Sequence, residues 1–236
     1  MIKAVNLAKS YKQKVVLNIS ELTVNDGEIF GLVGNNGAGK TTLLRLMLDL
    51  IKADKGELRS GEYVISKSEK WKDYTSSYLD EGFLIGFLTP EEYFDFIAEE
   101  YGFTKELIAS KLSEFSNFFN GEILGQKKKF IRDFSKGNKQ KIGIASALIT
   151  GPKVVILDEP FNSLDPTSQI LLKRILSDYN RSTGATMIIS SHDLNHVTEI
   201  CTRIAIIERG VIIRDLHNGG QAMAELSDYF SARKFN

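Results

Sequence analysis

A glycine-rich loop near the start of the chain carries the residue types that bind phosphate groups. It fits the pattern G-x-x-x-x-G-K-[ST] with Gly34, Gly39, Lys40 and Thr41. Backbone N–H groups of such a loop point at phosphate oxygens, the lysine neutralises the β- and γ-phosphates, and the hydroxyl binds Mg²⁺. An apolar strand before the loop and a helix after it argue against a chance glycine turn. We predict a nucleotide site formed by Gly34, Asn35, Asn36, Gly37, Ala38, Gly39, Lys40, Thr41 and Thr42.

Two adjacent carboxylates follow the apolar run 154–157. Asp158 and Glu159 should lie at the C-terminal edge of a parallel sheet, where ligands of such folds bind. We predict that Asp158 binds Mg²⁺ together with Thr41, and that Glu159 polarises the water that attacks the γ-phosphate. Helix capping by the two acids is the structural alternative. The loop and the acids together indicate an ATPase or a GTPase.

A short motif at 134–141 decides between these two classes. It reads Phe-Ser-Lys-Gly-Asn-Lys-Gln-Lys and resembles the L-S-G-G-Q signature of ATP-binding cassette (ABC) proteins. The resemblance implies that Ser135 and Gly137 contact the γ-phosphate held by a second subunit, at the N-terminus of a helix. Lys136 and Asn138 stand where the family usually has glycine and glutamine. A serine that only caps the following helix is the alternative for Ser135.

Three further positions resemble the same family. Asp165, in Ser-Leu-Asp just after the acids, is similar to the loop aspartate that crosses the dimer interface near the nucleotide. His192 is similar to the switch histidine that reaches the γ-phosphate, which makes it a catalytic residue beside Glu159. Tyr11 matches the aromatic position on which the adenine ring stacks. Taken singly, a histidine or a tyrosine at a strand end is usually structural.

The glutamine loop of the family is the position where this sequence differs most. Glu81 aligns with the usual glutamine, so it keeps an oxygen for Mg²⁺ but loses the amide donors and adds a charge. We expect it to be a third metal ligand. The segment 82–90 that follows is rich in apolar residues. These residues either belong to the core of a helical lobe or receive a helix of a membrane partner.

Composition limits the other classes of function. The 236 residues include 30 Lys and Arg against 30 Asp and Glu, so no global basic field attracts nucleic acid, and we expect no nucleic-acid partner. A lone cysteine, Cys201, and a polar N-terminal stretch without a signal-like apolar region predict a cytoplasmic location. Apolar runs stop after a few residues, far short of a membrane span. A separate chain must therefore supply any path across a membrane.

The elements that position these residues follow from hydrophobic periodicity. The opening third reads as strands (Ile2–Leu7, Val15–Val24, Glu28–Val33) and one helix from Lys40 to about Leu50. Residues 90–114 have helical spacing, and strands alternate with helices from residue 136 on. With the resemblance, this order predicts an α/β P-loop NTPase (RecA-like) core with a mainly parallel sheet. An N-terminal antiparallel β-subdomain and an inserted helical subdomain complete the expected fold.

We expect a single ABC ATPase domain over 1–236, with 1–82 and 147–236 as the nucleotide-binding lobe, 83–146 as the helical signature subdomain, and a helix near the C-terminus.

The resemblance implies an ATP-hydrolysing motor subunit. Two cassettes, identical or different, would enclose ATP and Mg²⁺ and move a separate integral membrane permease from the inner face of the cell membrane. The Ser-Lys-Gly form of the signature favours export. A cassette that remodels ribosomal or nucleic-acid complexes is the alternative, although no second cassette or long coiled-coil insertion is visible in the sequence. A regulatory module that binds nucleotide without hydrolysis is a further alternative, which the intact Lys40, Asp158, Glu159 and His192 disfavour.

Overall fold

The computed structural model describes residues 1–126 and 128–219. The helix expected near the C-terminus falls after residue 219 and lies outside the described residues. Ten strands are described: β1 Ile2–Tyr11, β2 Lys14–Val24, β3 Ile29–Val33, β4 Lys55–Ser60, β5 Tyr63–Val64, β6 Thr75–Tyr78, β7 Val154–Leu157, β8 Thr186–Ser191, β9 Arg203–Glu208 and β10 Val211–His217. Seven α-helices are described: α1 Lys40–Met47, α2 Pro90–Glu100, α3 Lys105–Ser113, α4 Ser116–Phe119, α5 Lys136–Ile149, α6 Pro166–Thr183 and α7 Leu194–Ile200.

The strands form two sheets of different type. The first is antiparallel, with strand order β2-β1-β4-β5. The second has the order β10-β9-β3-β8-β7-β6, in which β9, β3, β8, β7 and β6 are parallel and β10 is an antiparallel edge. These two sheets with helices between the parallel strands confirm the predicted fold class.

Two apolar cores cover the two faces of the mainly parallel sheet. On β3, Phe30 and Leu32 face α1 and the antiparallel sheet, while Ile29 and Val33 face the helices α2 to α7. This alternation follows from the two-residue period of a strand. Because both faces are covered, β7 is buried along its whole length and reads as an unbroken apolar run. The carboxyl ends of β3, β7 and β8 are thereby held rigidly side by side.

Three details of the elements differ from expectation. The helical stretch 90–114 is two helices, because α2 ends before Gly102, whose φ of +66° suits glycine. Strand β6 was not predicted, since its residues Thr75, Ser76 and Ser77 lack the apolar pattern of a strand and lie at a sheet edge. Helix α1 ends at Met47 rather than near Leu50.

The segment 82–90 divides between the two interpretations given above. Leu84, Ile85 and Leu88 pack against the core of the helical region, whereas Phe83 and Phe87 are 48% and 68% exposed. Helix α5 crosses the predicted boundary at residue 146 and packs on β6, so its apolar residues share one core with the sheet. Along the described part of the chain, no helix is long and apolar enough to cross a membrane.

Candidate nucleotide site

The glycine loop lies between the end of β3 and the start of α1, as its sequence predicts. Gly37 and Gly39 have φ values of +80° and +111°, which only glycine adopts without strain. A Cβ atom on Gly34 would lie 2.4 Å from the carbonyl oxygen of Ile207, so a side chain cannot fit there. The Gly34 N–H donates to the Ser191 carbonyl at 3.2 Å and ties the loop to β8.

The loop encloses a cavity of about 180 Å³. It is lined by Val16, Asn35, Asn36, Gly37, Ala38, Gly39, Lys40, Thr41, Thr42 and Glu159. Eight of the nine predicted loop residues therefore line it, and Gly34 closes the turn behind them. Since α1 begins at Lys40, the positive end of its dipole also faces this space.

Lys40 is the charged group at the centre of the site. Its side chain is only 6% exposed, and its ammonium donates to the Gly34 carbonyl at 2.5 Å. The same ammonium lies 3.1 Å from Oε1 of Glu159. The lysine charge therefore lies between the loop and the Glu159 carboxylate. A phosphate group bound in the loop would compete with Glu159 for the ammonium.

Asp158 lies at the end of β7 and is 7% exposed. Its Oδ2 accepts a hydrogen bond from the Thr41 hydroxyl at 2.6 Å, and its Oδ1 accepts one from the Ser190 hydroxyl. Burial raises the pKa of Asp158, while the hydrogen bonds from the two hydroxyls and the charge of Lys40 act in the opposite direction. A bound cation would likewise favour the ionised carboxylate.

Thr41 and Asp158 present hard oxygen atoms side by side, which fits Mg²⁺. This ion is usually held by one or two carboxylates together with phosphate oxygens and water. Among residues 1–126 and 128–219, no group of three or more His, Cys, Asp or Glu side chains forms a metal site by itself. In such a site, phosphate oxygens and water would complete the coordination.

Glu159 is held in an unusual backbone conformation, with φ of +48°. Its N–H donates to the Ser190 hydroxyl at 2.8 Å, and its carbonyl accepts from the Gln140 side chain at 3.2 Å. Its Oε2 accepts from the His192 N–H at 3.2 Å and lies 2.9 Å from Nδ1 of the same histidine. The structure thus brings Glu159 and His192 together beside Lys40, as the sequence predicts for catalytic residues.

Glu81 faces a second cleft of about 200 Å³, which is also lined by Asp158 and Glu159. Its Oε2 lies 3.2 Å from Nζ of Lys139 on α5. The predicted metal ligand is thus near the acids but is ion-paired with a lysine. Its role at the metal stays a prediction.

The four other predicted contacts lie outside the loop cavity. Ser135 caps α5 by accepting from the Asn138 N–H, and Asp165 caps α6 by accepting from the Ser168 N–H. Gly137 approaches the Ser163 carbonyl so closely that a Cβ would lie 2.6 Å from it. Tyr11 is 46% exposed at the end of β1, with Lys9 over its ring. Contacts of Ser135, Gly137 and Asp165 with a second subunit stay predictions, as does stacking of adenine on Tyr11.

Sequence reasoning missed two residues that hold the acids, Ser190 and Gln140. The pairing of β8 with β7 is the observation that could have identified Ser190. A polar residue that ends the apolar strand β8 must lie beside the acid that ends β7, because Leu157 pairs with Ile189. Gln140 gave no such signal, since a glutamine one turn into a helix is normally exposed.

Comparison with known proteins places the chain in a family. Residues 17–162 match the family described as ABC transporter. An ABC transporter ATP-binding protein of Nostoc sp. is 36% identical over 204 residues, which are 85% of this chain and 60% of that protein. The chain belongs to the ABC transporter family. Its similarity to other ATP-binding proteins of the family confirms the resemblance seen in the signature motif and identifies the chain as an ABC-type ATPase.

Two further relatives have named roles. A methionine import ATP-binding protein of Legionella pneumophila is 34% identical over 90% of this ABC chain and 63% of the relative. A linearmycin resistance ATP-binding protein of Bacillus subtilis is 33% identical over 90% of this chain and 68% of the relative. The chain spans about 60% of the length of the Nostoc protein.

Solved structures share the ABC fold. An ATP-binding subunit of an ABC transporter superposes with a TM-score of 0.83 at 25% identity, covering 99% of this chain and 94% of that one. A dimeric ATP-binding cassette with bound ADP and Pi superposes with a TM-score of 0.81 at 23% identity, covering 93% and 100%. The second likeness supports the fold alone.

Proposed function

We propose that this ABC ATPase hydrolyses ATP as one of two cassettes that drive a separate membrane permease. The observation that carries the proposal is the position of the Glu159 carboxylate. It lies 3.1 Å from the ammonium of Lys40 and 2.9 Å from the ring of His192, beside the phosphate loop. A carboxylate in this position can accept a proton from a water that is directed at the γ-phosphate.

Each side chain then has a separate task in the reaction. Lys40 leaves Glu159 and binds the β- and γ-phosphates, which frees the carboxylate to orient the water. His192 keeps Oε2 of Glu159 in place through its backbone and ring. The water oxygen bonds to the γ-phosphorus while the bond to the ADP oxygen breaks. Thr41 and Asp158 would hold Mg²⁺, whose charge offsets that of the phosphates.

The second cassette is part of the proposal because the signature residues face outward. Ser135 and Asp165 are exposed and do not line the cavity of their own chain. We assign them, with Gly137, to the nucleotide of a partner cassette, which is the same chain or a related one. In this arrangement two ATP molecules are enclosed between two cassettes. Each cassette consists of the helical region 83–146 and the nucleotide-binding lobe.

A separate permease is the third part of the proposal. The exposed rings of Phe83 and Phe87 leave an apolar surface on the segment 82–90 that a membrane partner could cover. Such a partner would hold the chain at the cytoplasmic face of the cell membrane. We propose export as the direction, on the basis of Lys136 in the signature. A methionine import protein and a linearmycin resistance protein match the chain about equally, so direction must be tested with the purified transporter.

Glu159→Gln tests the hydrolytic part. The change keeps the size of the side chain but removes the proton acceptor, so the rate of ATP hydrolysis should fall at least about 100-fold. Binding of ATP, measured by fluorescence of a nucleotide analogue, should persist because the loop is unchanged. Glu21→Gln, which alters an exposed ion pair with Lys3 on the antiparallel sheet, is the control. Unchanged ATP hydrolysis by Glu159→Gln would contradict the proposal.

A further inference from the structure

The hydroxyl of Ser190 connects both acids of the candidate site. It donates to Oδ1 of Asp158 and accepts from the backbone N–H of Glu159 at 2.8 Å. The residue is fully buried at the end of β8, and its backbone is fixed by pairing with Leu32 of β3. The hydroxyl makes both bonds at once, because it donates its single proton to Asp158 and accepts the Glu159 N–H with a lone pair.

The bond to Asp158 gains importance when a metal ion is bound. Oδ2 of Asp158 accepts from the Thr41 hydroxyl at 2.6 Å, and both of these oxygens belong to the proposed Mg²⁺ site. When the Thr41 hydroxyl binds the metal through a lone pair, its proton can still be donated to Oδ2 of Asp158. Ser190 holds the other oxygen, Oδ1, so the two hydroxyls together set the orientation of the Asp158 carboxylate.

The bond to Glu159 acts on the backbone. With φ of +48°, Glu159 has a left-handed conformation that is unfavourable for a residue with a side chain. The Ser190 hydroxyl accepts the N–H of this residue, and Gln140 donates to its carbonyl at 3.2 Å from the opposite side. The Glu159 side chain is attached to the residue that has this strained backbone conformation. The direction of its carboxylate therefore depends on that conformation.

We propose that Ser190 is a positioning residue that fixes the metal-binding carboxylate and the water-orienting carboxylate relative to each other. The proposal rests on the roles given to Asp158 and Glu159 under the proposed function. Ser190 itself does not line the phosphate cavity. A change at Ser190 should therefore lower the rate of hydrolysis much more than the affinity for ATP.

Ser190→Ala and Ser190→Cys test this inference in the full chain. Alanine removes the hydroxyl, and cysteine fills its volume with a group that forms only weak hydrogen bonds. We expect kcat to fall about tenfold or more in both variants, with KM for ATP changed by less than about threefold. The Mg²⁺ concentration that gives half the maximal rate should rise in both. Thermal unfolding shows whether each variant is folded, and Ser190→Cys carries the test if Ser190→Ala is not.

Ser60→Ala is the matched control. Ser60 is also buried, at 2% exposure, and its hydroxyl accepts from Tyr74 at 3.1 Å on the antiparallel sheet, away from the site. A similar loss of kcat in Ser60→Ala would overturn the inference, because the effect would then be one of general stability. Wild-type kcat in Ser190→Cys would also overturn it, since packing rather than hydrogen bonding would explain the alanine result.

Comparison with Glu159→Gln separates this inference from the function on which it rests. If Glu159→Gln abolishes hydrolysis and Ser190→Ala stays within about twofold of wild type, the positioning role is wrong and the proposed function stands. If Glu159→Gln hydrolyses ATP normally, both fail. A fall in ATP affinity equal to the fall in kcat would indicate distortion of the loop and would also contradict the positioning role.

Discussion

At the scale of single residues, the Lys40 ammonium is shared between the loop and an acid. It donates to the Gly34 carbonyl and lies 3.1 Å from the Glu159 carboxylate. Charged hydrogen bonds of this kind contribute about 1.5–3 kcal/mol each, and a polyphosphate offers more negative charge than one carboxylate. Phosphate should therefore win the competition for the lysine. Binding of ATP to the Lys40 ammonium therefore also releases the Glu159 carboxylate from it.

Lys40→Ala should consequently weaken ATP binding itself. Loss of one charged hydrogen bond predicts a Kd about 10- to 100-fold higher. Fluorescence titration with a nucleotide analogue measures this. Lys3→Ala, which removes a lysine from the ion pair with Glu21 on the antiparallel sheet, is the control and should keep the wild-type Kd. An unaltered Kd for Lys40→Ala would show that the loop lysine does not bind phosphate.

At the scale of elements, helix α5 contacts β6 through a glycine. A Cβ on Gly143 would lie 2.0 Å from the buried ring of Tyr78, so helix and strand are closer than any side chain permits. This contact places the signature end of α5 beside the acids at the end of β7. Burial also raises the pKa of the Tyr78 hydroxyl, which therefore stays neutral in the physiological range.

Gly143→Ala should destabilise the fold by displacing α5 from β6. Overpacking of this kind costs about 1–3 kcal/mol, and the better helix propensity of alanine recovers about 1 kcal/mol at most. The net loss should appear as a lower midpoint of urea unfolding. Gly219→Ala, where no atom of residues 1–126 and 128–219 lies within 4 Å of the added Cβ, should leave the midpoint nearly unchanged. A midpoint for Gly143→Ala equal to that of the control would mean that Tyr78 moves aside freely.

The elements also show what sequence patterns can and cannot predict. The loop after β3 and the acids after β7 were predictable because glycine spacing and an apolar strand that ends in carboxylates are local patterns. Strand β6 was missed because its pairing with β7 stabilises residues such as Ser76 and Ser77, which have no strand pattern of their own. Ser190 escaped notice for a similar reason, since its partners Asp158 and Glu159 are about thirty positions away in the sequence.

At the scale of the whole molecule, the proposed function gives one chain only part of the nucleotide site. The loop, the acids and His192 converge, while Ser135 caps its own helix at the protein surface. The sequence resemblance predicts this division of the site between two cassettes, and it stays a prediction. The N-terminus of α5 at Ser135 carries the positive end of a helix dipole and lies outside the loop cavity of its own chain.

The association of two chains can be tested by placing a negative charge at the N-cap of α5. Glu159→Gln protein should form a dimer when ATP and Mg²⁺ are added, because ATP binds and is not consumed. Adding Ser135→Asp to this variant should prevent the dimer. Aspartate still caps α5, so the helix keeps its stability, but its carboxylate would face the γ-phosphate of the partner chain. Light scattering after size-exclusion chromatography measures the mass.

Thr104→Asp supplies the matched control for this dimer. Thr104 caps α3 by accepting from the Leu107 N–H and lines neither the loop cavity nor the cleft beside the acids, so the same change is made at a cap outside the candidate site. Glu159→Gln with Thr104→Asp should therefore dimerise normally. Equal dimerisation of both double variants would show that Ser135 contacts no phosphate of the partner, and the proposed sharing of the nucleotide between two cassettes would be wrong. Loss of the dimer in the Ser135 variant alone would support a γ-phosphate at the cap of α5, because the two proteins differ in which helix cap carries the added charge.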